Sequence, residues 1–103
     1  AIAERVAAAR ERQIRRFEAA GRPIYFNSHM TRRDVETLCP LTPSCQKLLE
    51  AGMKKHGLSA RAYDRILKMA RTVADLASSE AISESHIAES LGYRVLELWG
   101  FAI

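Results

Sequence analysis

Arg61 is the residue whose position local helix physics explains least. It lies in LSARAYDRILKMARTVADL, residues 58–76, which predicts an amphipathic helix capped by Ser59. In the first turn of that helix the dipole disfavours a cation, and Arg65 adds like-charge repulsion. Either Arg61 pairs with Asp64 or extends into water, or a phosphate from elsewhere lies near this helix start, where an arginine fork and free backbone N–H groups can both contact it.

The segment just before this helix shares part of the spacing of a phosphate-binding loop. GMKKHGLS, residues 52–59, has the glycines and final serine of G-x-x-x-x-G-K-[ST], but Leu58 replaces the lysine and the segment follows a predicted helix. We interpret it as a helix stop at Gly57 followed by a helix cap. Because no acidic pair after an apolar strand is present to hold magnesium, we do not expect this chain alone to hydrolyse ATP or bind a cofactor.

The histidines and cysteines show no pattern of a metal or nucleophilic site. His29, His56 and His86 lack metal-ligand spacing, and Cys39 and Cys45 form no CxxC pair and have no histidine suited to activate them. We predict two buried, reduced thiols, no bound metal and no catalytic residue in the chain.

The charge of the chain is unevenly distributed. Sixteen basic and twelve acidic residues give a net charge of +4 over 103 residues, the length of one small domain. The basic excess lies in the first segment: Arg5, Arg10, Arg12, Arg15, Arg16 and Arg22. This excess is typical of a solvated surface and is also compatible with a free-standing basic helical module that binds nucleic acid or a protein partner. In that second hypothesis the phosphate contacts come from Arg5, Arg12, Arg15, Arg16 and Arg22. Arg12, Arg15 and Arg16 are the leading candidates for phosphate or DNA contacts.

No apolar run approaches the length of a membrane span, and the first residues do not resemble a signal peptide. We therefore expect a cytoplasmic protein with no membrane partner.

The elements that position these residues are predicted to be helices. Helical spacing of apolar residues covers residues 1–20, with Ile2, Val6, Ala9, Gln13 and Phe17 on one side. Residues 23–30 read as an extended connector rather than a strand. A short helix follows Thr31 and ends before Pro40, and another runs from Thr42 and Pro43 to Gly57. The last helix is predicted to follow Ser83, and Gly92 weakens the expectation that it is continuous.

A helical wheel divides residues 61–77 into two faces. The apolar face comprises Tyr63, Ile66, Leu67, Ala70, Val73, Ala74 and Ala77. The opposite face, predicted to be exposed, comprises Arg61, Asp64, Arg65, Lys68, Arg71, Thr72 and Asp75. On that face Asp64 and Lys68 have the spacing of a helical ion pair.

These segments carry a family resemblance over residues 2–94. LSARAYDRILKMARTVADL followed by EAISESHIAESLGYR resembles the C-terminal helical domain of magnesium-chelatase-related AAA+ ATPases, the group that contains the ComM-like competence proteins. Arg10, Gln13 and Arg16 match that family's R-x-x-Q-x-x-R helix, and Asn27 and Cys39 follow at similar places. The resemblance implies an all-α fold, a small orthogonal bundle of four to five helices like an AAA+ lid domain. It also implies that residues 1–103 are one helical domain, the C-terminal piece of a longer protein.

The same resemblance implies a function for Arg61. In such proteins a sensor-2 arginine near the start of a lid helix reaches the γ-phosphate of ATP, and Arg61 in LSARA matches that position. The full-length protein is then expected to use ATP and Mg²⁺. Its expected partners are its own N-terminal AAA+ core, neighbouring subunits of a ring and DNA.

The C-terminal end departs from the family pattern. Ser90 stands where alanine is usual, Gly92 precedes the Tyr93–Arg94 pair, and VLELWGFAI, residues 95–103, continues past the pattern. The tail either packs Trp99 and Phe101 onto the domain, which we favour, or forms a surface for a neighbour.

Overall fold

Five α-helices and one short 3-10 helix make up residues 2–98, the part of the chain that the computed structural model describes. The helices are α1 (Ile2–Ala19), α2 (Arg32–Leu38), α3 (Pro43–His56), α4 (Ala60–Leu76) and α5 (Glu84–Leu98), and the 3-10 turn is Asn27–His29. Residues 2–98 contain no strand. The prediction of an all-α domain with four to five helices is confirmed. Trp99 and Phe101 lie outside the described residues, so the prediction that they pack onto the domain stays a prediction.

The central element is α4. α5, α1, α2 and the 3-10 turn all pack against it, and α3 packs against α5. The core between them is aliphatic, with contributions from every α-helix; its fully buried larger side chains include Phe17, Val35, Leu49, Ile66 and Ile87. Different elements pack against different parts of α4. The exposure of one face of this helix can therefore change along its length.

The predicted starts of α2 and α3 are confirmed by their caps. Thr31 accepts a hydrogen bond from the Asp34 N–H (3.2 Å), and the Asp34 carboxylate accepts one from the Thr31 N–H (2.9 Å). That backbone hydrogen bond, together with the guanidinium of Arg22, holds the pKa of Asp34 below its usual value against the opposing effect of burial. Thr42 caps α3 in the same way, with Pro43 at the first helical position. These caps fix where α2 and α3 begin.

Three details differ from the sequence expectations. Residues 23–30, predicted to be an extended connector, contain the 3-10 turn Asn27–His29. α5 runs through Gly92 without interruption, in open space where a side chain would meet no neighbour. Ile2 and Val6, predicted to share the apolar side of α1, are 81% and 38% exposed. Arg5 and Arg16 both reach the C-terminal end of α4, so α1 crosses α4 there.

No helix within residues 2–98 combines the length and apolar character needed to cross a bilayer.

Candidate anion-contact site at the start of α4

The start of α4 is fixed by a helix stop, a cap and two apolar contacts. Gly57 ends α3 in the left-handed conformation (φ 62°), which glycine adopts without steric cost. Ser59 then accepts a hydrogen bond from the Ala62 N–H (3.3 Å). Leu58 and Tyr63, on either side of this cap, both pack against the core. GMKKHGLS is therefore a helix stop and a helix cap, as predicted.

Arg61 occupies the second position of α4, and its side chain faces solvent. It forms no hydrogen bond or ion pair with any of residues 2–98. The first N–H groups of a helix have no acceptor within the helix, so unpaired donors lie beside this guanidinium. The geometry places a free cation and free N–H donors together at one helix end, an arrangement suited to an anion.

Asp64 does not pair with Arg61 or with Lys68, the two partners that sequence spacing offered. Its Oδ2 instead lies 3.7 Å from Nε of Arg32, at the start of α2. The Asp64–Arg32 pair borders a cavity of about 290 Å³ whose wall also includes Tyr63 and Gln46. Tyr63 donates its hydroxyl hydrogen to Oε1 of Gln46 (3.1 Å), which links α4 to α3. Contacts with α2 and α3, rather than spacing along α4, therefore determine the partners of Asp64 and Tyr63.

The C-terminal half of α4 corrects the prediction that the polar face is exposed along its length. Arg71 and Asp75 belong to that predicted face but are only 3% and 1% exposed. Arg16 of α1 pairs with Asp75 through both terminal nitrogens, and its Nη1 lies 3.1 Å from Oδ2. Nη2 of Arg71 lies 3.2 Å from Oδ1 of the same carboxylate. Two guanidinium groups thus compensate one carboxylate that folding removes from water.

Asn27 connects this carboxylate to the rest of the domain. Its Nδ2 donates to Asp75 (3.0 Å) and to the Thr72 hydroxyl (3.1 Å), and its Oδ1 accepts from Arg16 (3.2 Å). Its backbone N–H donates to Oε1 of Gln13 (2.9 Å). We call Gln13, Arg16, Asn27, Arg71, Thr72 and Asp75 the buried polar network. It joins α1, the 3-10 turn and α4.

Arg71 also fixes the turn that follows α4. Its Nη2 donates to the carbonyl oxygen of Ser79 (2.7 Å) and its Nη1 to that of Glu80 (2.9 Å). Ser78, within this turn, adopts a positive φ of 56°. The Arg71 side chain therefore donates hydrogen bonds to two carbonyl oxygens of the turn and also pairs with the Asp75 carboxylate.

Cys39 and Cys45 are free and buried, as predicted. Burial raises the pKa of the Cys39 thiol to about 11, although the positive charges of Arg71 and Arg16 oppose that shift. A thiol with so high a pKa is protonated at neutral pH and is a poor nucleophile. Within residues 2–98, no three histidine, cysteine or acidic side chains are grouped so that they could hold a metal ion.

The predicted phosphate contacts of α1 have unequal environments. Arg12, Arg15 and Arg16 line one groove together with Glu11 and Glu80. Arg12 is half-buried and forms no hydrogen bond or ion pair with residues 2–98, whereas Arg15 pairs with Glu11 one turn earlier. Arg16 points inward to Asp75, with 18% of its side chain exposed.

Sequence reasoning missed the buried polar network, although two signals of it were present. Gln13 is a polar residue in the apolar series of α1, between Ala9 and Phe17. Arg71 and Asp75 are opposite charges four residues apart, a spacing that also occurs in exposed ion pairs. Gln13, Arg16 and Asn27, three of the residues that carry the family resemblance, belong to this network.

Comparison with known proteins gives one family and several relatives. The family model "Magnesium chelatase, subunit ChlI C-terminal" matches residues 1–94. The chain is 40% identical over 95 residues to "Competence protein ComM" of Haemophilus influenzae. It is 35% and 34% identical over 96 residues to "Uncharacterized protein YifB" of Salmonella typhimurium and of Escherichia coli. These matches cover 92% to 93% of the chain but 18% of each relative, so the chain spans less than a fifth of their length.

Proposed function

The chain belongs to the magnesium chelatase subunit ChlI C-terminal family, and on this premise we propose that it is the lid domain of an AAA+ ATPase in which Arg61 is the sensor-2 arginine. The observation that carries the proposal is the environment of Arg61. Its guanidinium is exposed and unpaired in the first turn of a helix whose start is rigidly fixed. A ligand anion would offset the unfavourable interaction of this cation with the helix dipole.

The chemistry of arginine suits this role. A guanidinium stays protonated at all physiological pH values and can contact two phosphate oxygens at once. In phosphoryl transfer, negative charge spreads over the transferred group, and a fixed cation beside it lowers the barrier. Arg61 acts here as an electrostatic contact and does not itself exchange a proton. The cap at Ser59 and the packing of Tyr63 keep its Cα in place.

The rest of the active site belongs to the remainder of the full-length protein in this proposal. The nucleotide-binding core would hold ATP and Mg²⁺, and the lid would present Arg61 to the γ-phosphate. Neighbouring subunits of a ring are the further partners. The length of the relatives, more than five times that of this chain, leaves room for such a core.

The test is the variant Arg61→Ala in the full-length protein, with steady-state ATP turnover as the readout. Removal of one transition-state charge contact costs about 2 to 4 kcal/mol, so turnover should fall by roughly 30-fold to 1,000-fold. Arg61→Lys retains the charge but loses the guanidinium geometry that contacts two oxygens at once. Its ATP turnover rate should therefore lie between that of Arg61→Ala and that of the parent.

Arg65→Ala is the matched control, because Arg65 is also an exposed arginine of α4 and lies one turn further on. We expect its turnover to stay within about threefold of the parent, as for loss of a screened surface charge. Unaltered turnover in Arg61→Ala, or an equal loss in Arg65→Ala, would refute the sensor-2 assignment.

We also propose that the full-length protein acts on DNA and that Arg12 contributes to this contact. Arg12 is the member of the predicted α1 set whose guanidinium has no partner within residues 2–98. Titration of the full-length protein with duplex and single-stranded DNA, at two salt concentrations, tests this proposal. Arg12→Ala should weaken binding and reduce the salt dependence by about one counterion, with Arg33→Ala as the exposed control. DNA binding that is unchanged by Arg12→Ala would show that Arg12 does not contribute to the DNA contact.

A further inference from the structure

Asp64 is the acidic residue best placed to neutralise Arg61. The other side chains within one turn along α4 are Ala60, Ala62, Tyr63 and Arg65, none of which is acidic. Residues three apart on a helix are neighbours on its surface, so Asp64 and Arg61 have the spacing of an ion pair. An arginine paired in this way would have to release its carboxylate before it could bind a phosphate. The structure nevertheless leaves Arg61 unpaired.

Arg32 accounts for this outcome. Its Nε lies 3.7 Å from the Asp64 carboxylate, and both residues line the cavity between α2 and α4. Arg32 is the first residue of α2, where the helix dipole disfavours a cation as it does at Arg61. The two arginines thus both lie in the first turn of a helix, where the dipole is unfavourable to a cation. Arg32 pairs with the Asp64 carboxylate, whereas Arg61 pairs with no carboxylate of residues 2–98.

The backbone at Arg32 is itself fixed. The Thr31–Asp34 capping box sets the start of α2, and the Arg22–Asp34 ion pair, with Nε 2.8 Å from Oδ1, anchors that cap to the end of α1. The guanidinium of Arg32 approaches Asp64 from this anchored backbone. Asp64 has only 25% of its side chain exposed, so its orientation is constrained by packing as well.

We propose that Arg32 is a positioning residue that holds Asp64 away from Arg61 and so keeps the Arg61 guanidinium available to an incoming phosphate. The inference rests on the proposed sensor-2 function of Arg61 and adds a residue from a different helix to it. Arg32 does not contact the nucleotide in this scheme. It acts by competing with Arg61 for a single carboxylate.

The experiment compares four variants in the full-length protein at low ionic strength: Arg32→Ala, Arg33→Ala, Arg32→Ala with Asp64→Asn, and Arg32→Ala with Arg61→Ala. The readouts are the dissociation constant for ATP and the turnover rate. Arg32→Ala frees Asp64 to pair with Arg61, and ATP binding should weaken about twofold, the scale of an exposed helical ion pair. Arg33→Ala removes an equal charge from the adjacent residue, which is exposed, and should leave binding unchanged.

Rescue separates positioning from a general loss of stability. Asp64→Asn removes the competing carboxylate, so its combination with Arg32→Ala should restore parental ATP binding. In the Arg61→Ala background, Arg32→Ala should have no further effect, because its target is already absent. Binding unchanged in Arg32→Ala, as would follow if Asp64 turned to Lys68, overturns the proposal. Equal weakening in Arg33→Ala, or failure of Asp64→Asn to restore binding, overturns it too.

The two proposals fail in different ways. If Arg61→Ala alone leaves ATP binding and turnover at parental levels, the sensor-2 assignment is wrong and the role of Arg32 falls with it. If Arg61→Ala is severely impaired and Arg32→Ala is normal, only the role of Arg32 is wrong.

Discussion

The two halves of α4 place the same kind of side chain, an arginine, in opposite environments. At its start, Arg61 is exposed and unpaired. About 15 Å further along the helix, Arg71 is buried and contacts the Asp75 carboxylate and two backbone carbonyl oxygens of the following turn. Both arginines lie on the polar face of one amphipathic helix. The difference arises because α1 and the 3-10 turn cover the C-terminal half. A charge that is covered must be compensated within the fold, while an uncovered one remains available to a ligand.

The comparison also separates residues that are paired within the fold from residues that are not, among those that carry the family resemblance. Gln13, Arg16 and Asn27 carry much of the resemblance in the first third of the chain, and all three belong to the buried polar network. The hydrogen bonds of these three side chains join α1 to the 3-10 turn and so stabilise the fold. Arg61 carries resemblance of another kind, because none of residues 2–98 uses its side chain.

The largest effect should come from Asp75→Asn, which leaves two buried guanidinium groups without their carboxylate. Loss of one partner from a buried ion pair typically costs about 3 to 5 kcal/mol in the free energy of unfolding. Urea denaturation of the domain measures it. Asp64→Asn, the same chemical change in the N-terminal half of α4, should cost less than about 0.5 kcal/mol. Similar losses in the two variants would contradict the distinction between the halves.

Asn27→Ala should have the next largest effect. The substitution removes one acceptor and both amide donors from a buried site, and unsatisfied buried groups cost about 1 to 3 kcal/mol. Ser28→Ala, at the exposed neighbouring position, is the control and should be near neutral in the same urea titration. A neutral Asn27→Ala would mean that the network tolerates the loss of its central member.

Ser59→Ala tests the fixed start of α4. Removal of the cap should lower the free energy of unfolding by about 1 kcal/mol, and Ser59→Asn, which retains a capping side chain, should lower it much less. In the full-length protein the alanine variant should also weaken ATP binding, because it loosens the turn that carries Arg61. Equal stability of the two variants would show that the cap does not set this helix start.

Arg61→Ala should have the smallest effect on stability, and in the opposite direction. Because the cation opposes the dipole and repels Arg65, its removal should leave stability unchanged or raise it by a few tenths of a kcal/mol. Urea denaturation of the domain measures this, alongside the large loss of ATP turnover proposed for the full-length protein. A destabilised Arg61→Ala would assign the side chain a structural role and weaken the sensor-2 proposal.

Much of the fold followed from local patterns. Thr31, Thr42 and Ser59 marked helix starts because a short hydroxyl side chain can accept a hydrogen bond from the first turn, and Gly57 marked a stop because it adopts positive φ. These signals depend on a few consecutive residues. The position of Arg61 in the first turn of α4 was predictable for the same reason.

The partners of the charged residues were not predictable in this way. Sequence spacing offered Asp64 to Arg61 and to Lys68, but the carboxylate lies against Arg32 from a helix that begins 32 residues earlier. The wheel likewise placed Arg71 and Asp75 on an exposed face, since a wheel contains no information about which other helix crosses it. The family resemblance identified Gln13, Arg16 and Asn27 but did not show that they meet at Asp75.

The sequence by itself therefore determined five helices, the capped starts of α2, α3 and α4, and an arginine set against its own helix dipole, because each depends on interactions within one or two turns. Only the tertiary structure decided which polar side chains are withdrawn from water. It buried Arg71 and Asp75 by passing α1 across the end of α4, and it left Arg61 exposed by holding Asp64 against Arg32. The physical reason is that burial and ion pairing depend on what packs against a helix, and that is set by residues far away in the chain.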